Sequence, residues 1–323
     1  MGVKIVFGIM SAVAKQSVIE QLVDSLGHHQ IVIHHDFSQQ PDFKIVRPNV
    51  RFITNPARTG WGTWGHTQGV FKTLEHAIDK LEFDYFQLLS PSCLPIRPIS
   101  DFEHSIADGK YDANNVYMDL SANRQEFMHY AYRVYAPKDS LRYRTLRKMR
   151  AWYFGNHPEV EDRANLQIQT GYDGMEWGGP SLRARVALGA SEIARKGWLG
   201  SHPFKAGYRP LMGDIWFGVR PTVARYMLEK FRDPDIQAYF SRLDIAEELL
   251  IASILGNSQF RIGPANHFVN TFIASNPRWL DESDLERLAN SPKYFGRKFP
   301  NDPDAPVRRR LLERLSAPVE ASS

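Results

Sequence analysis

A single cysteine, Cys93, is all the thiol chemistry that 323 residues provide. It excludes an internal disulfide and matches a reducing compartment. Long apolar runs are lacking too. The N-terminal one, inside MGVKIVFGIMSAVAK, falls far short of the roughly 20 residues that span a bilayer. No small-residue cleavage site of a signal peptide follows it, so it reads as a first strand. Residue 6 is Val, which removes a myristoylation match. Repeats, low-complexity blocks and obvious linkers are absent as well, so one α/β domain with elaborations is expected rather than two. Charge of either sign is unexceptional: the net charge is +4, with 43% hydrophobic and 24% charged residues, as in ordinary globular proteins. Basic residues do cluster at 142–150 and 308–310. Such patches can meet nucleic acid, anionic lipid or an acidic glycan. No aromatic platform interleaves with them, so they read first as solvated helix faces, and no nucleic-acid partner is expected.

What is present is a β-α-β rhythm with a parallel sheet. Residues 3–9 (VKIVFGI) read as a buried strand and 15–26 as a helix that Gly27 stops. Residues 30–34 form a second strand ending in His34-His35-Asp36. A third strand is expected at 51–54, a Gly/Trp-rich turn at 59–69, a helix at 70–80 and an apolar strand at 85–89. In doubly wound sheets ligands sit beyond the carboxyl ends of strands, so the segments around Ile9, Asp36 and Ser90 should face one crevice. Residues 111–200, rich in Arg, Gly and aromatics, read as an irregular excursion. A strand over 211–220, a proline-led helix over 221–231, a strand near 259–262 and a short helix over 283–289 follow.

The rest is organised around 243–258 (LDIAEELLIASILGNS). Asp244 and Glu247 stand at capping-box spacing. The following apolar run marks a buried helix, and Gly256 and Asn257 stop it. Glu247 thereby has a structural use. Glu248, about 100° further round the helix, has none and is the candidate general base. The plainer alternative is a solvated glutamate favoured by the helix dipole.

Several stretches together resemble the core-2/I-branching β-1,6-N-acetylglucosaminyltransferase and peptide O-xylosyltransferase family. They are IVIHHDFSQ, WGTWGHTQGV, YFQLLSPSCLPIRP, GDIWFGVRP, AEELLIASILGNS and WLDESDLERLANSPKYFGRKF, in the family's order from residue 3 to about 300, with 111–200 poorly matched. The resemblance implies an α/β, GT-A type nucleotide-sugar-binding (Rossmann-like) fold, with a mixed, mostly parallel sheet flanked by helices. One such domain would span 1–300, followed by a helical tail at 301–323. It implies inverting transfer of a sugar, GlcNAc ahead of xylose, from a UDP-sugar to a glycan hydroxyl. No cofactor and no divalent metal are implied. Glu248 falls on the catalytic base, Asp36 on the acid that contacts the uridine, and Arg297 with Lys298 on the basic pair at the diphosphate; Ile9 joins the nucleotide site. Trp64, Cys93, Asp214, Trp216 and Glu247 fall near the sugar and acceptor. The missing anchor departs from Golgi members. It implies a bacterial, cytoplasmic relative that builds a glycan, with peripheral membrane association through the basic patches.

The residues carry the same chemistry. An acceptor hydroxyl is a poor nucleophile, so a base within hydrogen-bond reach is needed. Many sugar transferases neutralise the leaving diphosphate with a divalent ion on Asp-x-Asp after a strand. Here that place, just after residue 89, carries Ser-Pro-Ser-Cys. The Asp-x-Asp strings at 233–235 and 302–304 each contain proline and read as turns. Adjacent Arg297 and Lys298, framed by Tyr294, Phe295 and Phe299, can take the metal's role. His34 and Asp36 share one face of an extended strand, yet no third ligand has sensible spacing, so a metal site there is disfavoured. Trp61 and Trp64 read equally as core aromatics or as a sugar wall. Cys93 stands where the family usually has Asp, and Asp214 where it usually has Ser. Both changes bear on donor and acceptor identity and leave room for another reading, a glycan- or nucleotide-binding protein that has lost catalysis.

Overall fold

The computed structural model describes residues 2–11, 14–137, 140–154, 182–205, 207–273 and 276–316. The chain opens with β1 (Ile5–Met10), α1 (Gln16–Ser25), β2 (Gln30–His34) and β3 (Val50–Phe52), then α2 (Trp64–Lys80), β4 (Tyr85–Leu89), β5 (Leu94–Pro95) and α3 (Ile99–Ala107). Next come β6 (Ala113–Asn114), β7 (Tyr117–Asp119), α4 (Arg124–Ala131), α5 (Leu141–Phe154) and α6 (Leu182–Leu199). Strands β8 (Leu211–Gly213) and β9 (Gly218–Val219) lead into α7 (Pro221–Phe231), α8 (Pro234–Phe240) and α9 (Ala246–Gly256). The last stretch holds β10 (Ile262–Gly263), β11 (His267–Val269), β12 (Phe272–Ile273), β13 (Asn276–Pro277), α10 (Leu285–Ala289), β14 (Phe295–Arg297) and α11 (Pro306–Ser316).

Strand β1 shows why a sheet lies at the centre. Val6 and Met10 enter one core, while Ile5, Phe7 and Ile9 enter the other, the two-residue alternation of a strand buried on both faces. The main sheet has seven strands in the order β10-β6-β9-β4-β1-β2-β3. All its pairings are parallel except those of β9, which runs antiparallel to both β4 and β6. Helices α2, α7 and α9 cover one face; α1, α3 and α11 cover the other. The mixed, mostly parallel α/β architecture therefore agrees with the expected one. Antiparallel β14 pairs with β5 in a separate three-stranded sheet, which brings the C-terminal segment back to the end of β4.

Several boundaries differ for tertiary reasons. Helix α2 starts at Trp64 rather than 70, so the glycines of 59–69 do not all mark a turn. A Cβ on Gly65 would strike the Arg58 carbonyl, and one on Gly69 would strike Met10 and His34, so both permit close packing. The expected strand over 211–220 is broken into β8 and β9. The first Asp-x-Asp string is a helix cap: Asp233 accepts from the backbone N–H of Asp235 and Ile236. The second is a turn, with Asp304 N–H donating to Asp302. Where described, 111–200 is an ordered part of the domain rather than an irregular excursion. It supplies β6 to the main sheet and three helices; 155–181 lies outside the described residues.

The tail and one basic patch are also corrected. Arg308 is buried, donating to Gln21, to the Pro300 carbonyl and to the Val18 carbonyl, while Val307 and Leu311 join the core. Arg310 pairs with Glu282. Of the 308–310 cluster, Arg308 alone is buried at the seam between α11 and the domain, while Arg309 and Arg310 stay exposed. Exposed Arg142, Arg144 and Lys148 on α5 keep the other patch solvated.

Candidate functional site

Helix α9 is anchored by its apolar residues: Leu249, Leu250, Ile251, Ile254 and Leu255 are all buried, about 1.5–3 kcal/mol each. Its start is not the expected capping box. Ile245 occupies the N-cap with left-handed torsions, φ 49 and ψ 49, and no side chain caps the helix. That conformation, unfavourable for a β-branched residue, is held by Ile245 N–H donating to the Gly62 carbonyl (2.9 Å) and Asp244 N–H donating to the Arg133 carbonyl (2.7 Å).

The two adjacent glutamates then diverge. Glu247 is buried, bonded to His66 Nδ1 at 3.0 Å and accepting from Thr67 Oγ1 at 2.9 Å. Burial works to raise its pKa, but the His66 bond prevails and lowers it; His66 is raised in turn, its bond to Glu247 overcoming burial. Glu247 thus has a tertiary partner in α2 rather than a cap. Glu248 meets Arg133 Nη1 at 2.9 Å and keeps 36% of its side chain exposed. Protein surrounding the carboxyl raises its pKa, with Arg133 pulling it down and Glu247 and Asp214 pushing it up. Its open face admits water, which moderates that shift. Asp244, buried beside them with Oδ1 unbonded, is pushed to about 7, by burial first, then against Arg133 by the two glutamates.

The C-terminal basic pair is linked to Glu248 through Asp214, which both Glu248 and Arg297 feel. Phe299 N–H donates to the Ser92 carbonyl, so the segment closes over the end of β4. The Arg297 guanidinium lies 4.9 Å from the Trp216 ring centre, and its buried Nε has no hydrogen-bond partner. Asp214 is raised by burial and held back by Arg297. Lys298 sits 4.2 Å from the Trp279 ring centre, its pKa lowered by burial and by Arg297. Buried His267 packs beside Trp216 and is pushed down to about 3 by burial and Arg297, so it is neutral. Glu248, Asp214, Trp216, Arg297 and Lys298 are therefore gathered.

Other expected residues are placed differently. Ile9 is wholly buried and paired on both sides in the sheet, so neither its side chain nor its backbone edge is free for a nucleotide. Cys93 is also fully buried, its thiol contacting Ser90 and raised by burial; it cannot touch a sugar. Trp64 stacks on Phe231 and belongs to the core, whereas Trp61 is 71% exposed. Asp36 accepts from Ser38 N–H and Oγ, Gln39 Nε2, and Thr59 N–H and Oγ1. Burial opposes ionisation, but these bonds prevail and hold it well below the usual carboxylate range. Both oxygens are engaged in the loop, so Asp36 clamps it rather than presenting a free acceptor. His34 Nε2 accepts from Ala57 N–H, and His35 bonds Ser11 and the Gln40 carbonyl, so a metal there would have to displace existing partners. The Ser11 contact with His35 joins the ends of β1 and β2.

Sequence reasoning missed Arg133, His66 and His267, and took Asp244 for a helix cap that it does not form. Arg133 lies in the poorly matched region; His66 stood inside a quoted motif, where a histidine two residues after Trp64 was a legible signal. Two surface depressions, of about 550 Å³ beside Lys80 and about 700 Å³ beside Arg287, include neither Glu248 nor Arg297 in their linings. The site is therefore defined by charge and partner geometry.

Comparison with known proteins agrees with the sequence resemblance. The Core-2/I-Branching enzyme model matches residues 7–171, slightly more than half the chain. The chain belongs to the Core-2/I-Branching enzyme family, a family of glycosyltransferases. No curated protein matches it significantly. Among solved structures it is similar to HddC from Yersinia pseudotuberculosis, with 12% identity over 36% of this chain and 60% of that one, at a TM-score of 0.24. It is also similar to the galactosyltransferase LgtC solved with donor and acceptor sugar analogues, with 13% identity over 98% of each chain, at a TM-score of 0.40. Neither likeness is close enough to add to the geometry. No helix among the described residues is long and apolar enough to cross a membrane.

Proposed function

We propose that the chain is an inverting glycosyltransferase that moves a sugar, GlcNAc ahead of xylose, from a UDP-sugar to a glycan hydroxyl without a divalent metal. Glu248 takes the acceptor proton as the hydroxyl oxygen bonds to the anomeric carbon. The bond from that carbon to the diphosphate breaks, and UDP leaves with the electron pair from the opposite face. A positioned base of this kind contributes typically 10²–10⁴-fold. Arg297 and Lys298 neutralise the growing charge on the diphosphate, Trp216 fixes the guanidinium plane, and Asp214 orients the donor sugar. Asp36 serves the nucleotide indirectly, by holding the Ser38 and Thr59 loop.

The observation that supports this most is Arg297, a half-buried arginine whose buried Nε has no hydrogen-bond partner; such a group calls for an anion. The test is calorimetry of UDP binding, with and without EDTA, on wild type and on the Arg297→Ala/Lys298→Ala double variant. Chelator-insensitive binding, weakened at least tenfold in the double variant, is the expected result. Binding that requires a divalent ion, or that survives the double variant, overturns the metal-free reading. A second reading, a glycan- or nucleotide-binding protein without turnover, is favoured by one observation: the Glu248 carboxylate is neutralised by Arg133 at 2.9 Å. Release of UDP from UDP-GlcNAc in the presence of glycan acceptors decides between the two.

A further inference from the structure

At the opposite, N-terminal end of the strands, the turn between α1 and β2 carries two histidines in a row. Gly27 turns the chain with φ 67, His28 is exposed, and His29 is buried against the edge of Phe7 at 5.7 Å. The two imidazoles lie face to face, ring centres 4.4 Å apart and planes 33° apart. Glu103 on α3 brings Oε1 to 2.8 Å from His29 Nε2. Nε2 is buried and Glu103 is its one close polar neighbour among the described residues. One donor atom from each of His28, His29 and Glu103 lies within 4.8 Å of the other two.

We propose that His28, His29 and Glu103 form a binding site for a divalent transition metal of the zinc class, apart from the glycosyl-transfer site. Two imidazoles and a carboxylate are a donor set that zinc accepts, with water completing four-coordination. Ligands about 2.0–2.2 Å from zinc stand about 3.3 Å apart in a tetrahedron. His29 and Glu103 are already near that spacing. His28, whose donor atom lies within 4.8 Å of the other two, is the exposed third ligand. A bound ion would cross-link the α1-β2 turn to α3 over the Phe7 and Phe102 contact, a structural role outside the reaction.

The test uses the full chain stripped of metal and titrated with Co²⁺, whose visible absorption reports tetrahedral ligation, then with Zn²⁺ as competitor. Wild type should take up one equivalent, lose the cobalt spectrum to zinc, and melt higher with added zinc. His28→Ala and Glu103→Gln should each weaken cobalt binding by about tenfold or more. His28 is exposed, so its variant folds and decides the matter if Glu103→Gln does not. Absence of a cobalt spectrum in wild type, or unchanged affinity in His28→Ala, overturns the assignment. Because binding is read without any sugar donor, this outcome is independent of whether the chain transfers sugar.

Discussion

Asp36 and Arg297 stand at the same end of the sheet and differ in how their polar atoms are occupied. Both Asp36 oxygens are taken by the loop that follows β2 and by Thr59. Arg297 rests on an aromatic ring with its Nε buried and unbonded. A saturated carboxylate stabilises the wall of a site, whereas a half-buried guanidinium with an unbonded Nε is a place where a ligand's charge completes the structure. Two residues that looked equivalent as nucleotide contacts thus divide into one that shapes and one that receives.

The largest expected effect sharpens that division from a third side. Glu248→Gln should reduce turnover by about 10²–10⁴-fold with UDP affinity unchanged by calorimetry; turnover within tenfold of wild type would remove Glu248 from the chemistry. Next, Asp36→Ala should cost about 1–3 kcal/mol of stability in denaturant titration, since it strands the N–H groups of Ser38 and Thr59. Arg297→Ala should leave the unfolding midpoint nearly unchanged while weakening UDP binding. Equal stability losses in the two variants would break the comparison.

Arg133→Met has a smaller, directional effect. Arg133 holds the Glu248 pKa down, so its removal should move the acid limb of the kcat/KM profile to higher pH. A limb that stays put would show that Glu248 is not the titrating base. Asp244 gives the smallest effect. Its folded pKa, about 7, lies above its unfolded value near 3.8. The folded state therefore binds the extra proton, and stability falls as pH rises from about 4 to 7. Asp244→Asn should flatten that slope and raise the melting temperature relative to wild type at pH 8 but not at pH 4. A constant difference between the two pH values would contradict the shift.

The strands and most helices were legible because β1, β2 and β4 are apolar runs with turn residues at their ends. Glu248, Trp216, Asp214 and the C-terminal basic pair were legible as a set because the ordered motifs name them together. Glu247 was misread because a local spacing, Asp244 to Glu247, mimics a capping box, while its real partners lie about 180 residues away in α2. Ile9 and Cys93 fail for a related reason: a residue at the end of a strand can face the crevice or the core, and one sequence does not say which. Arg133 left no signal, since its meaning depends wholly on α4 being folded back against α9.

Chelator experiments on this protein need the His28, His29 and Glu103 cluster in mind. EDTA that lowers activity by loosening the α1-β2 turn would imitate a catalytic metal, and His28→Ala separates the two.

The left-handed Ile245 sets a limit on engineering. Replacing it with Asn or Gly, residues at ease with that torsion, is the change a search for heat tolerance would find early, with a gain of about 1 kcal/mol. Yet the same dihedral aims the first turn of α9, sending Glu247 to His66 and Glu248 to Arg133. Asn or Gly, keeping that torsion, should be hardier with turnover intact, whereas a residue that pulls 245 out of it should swing both carboxylates off their partners and slow the enzyme.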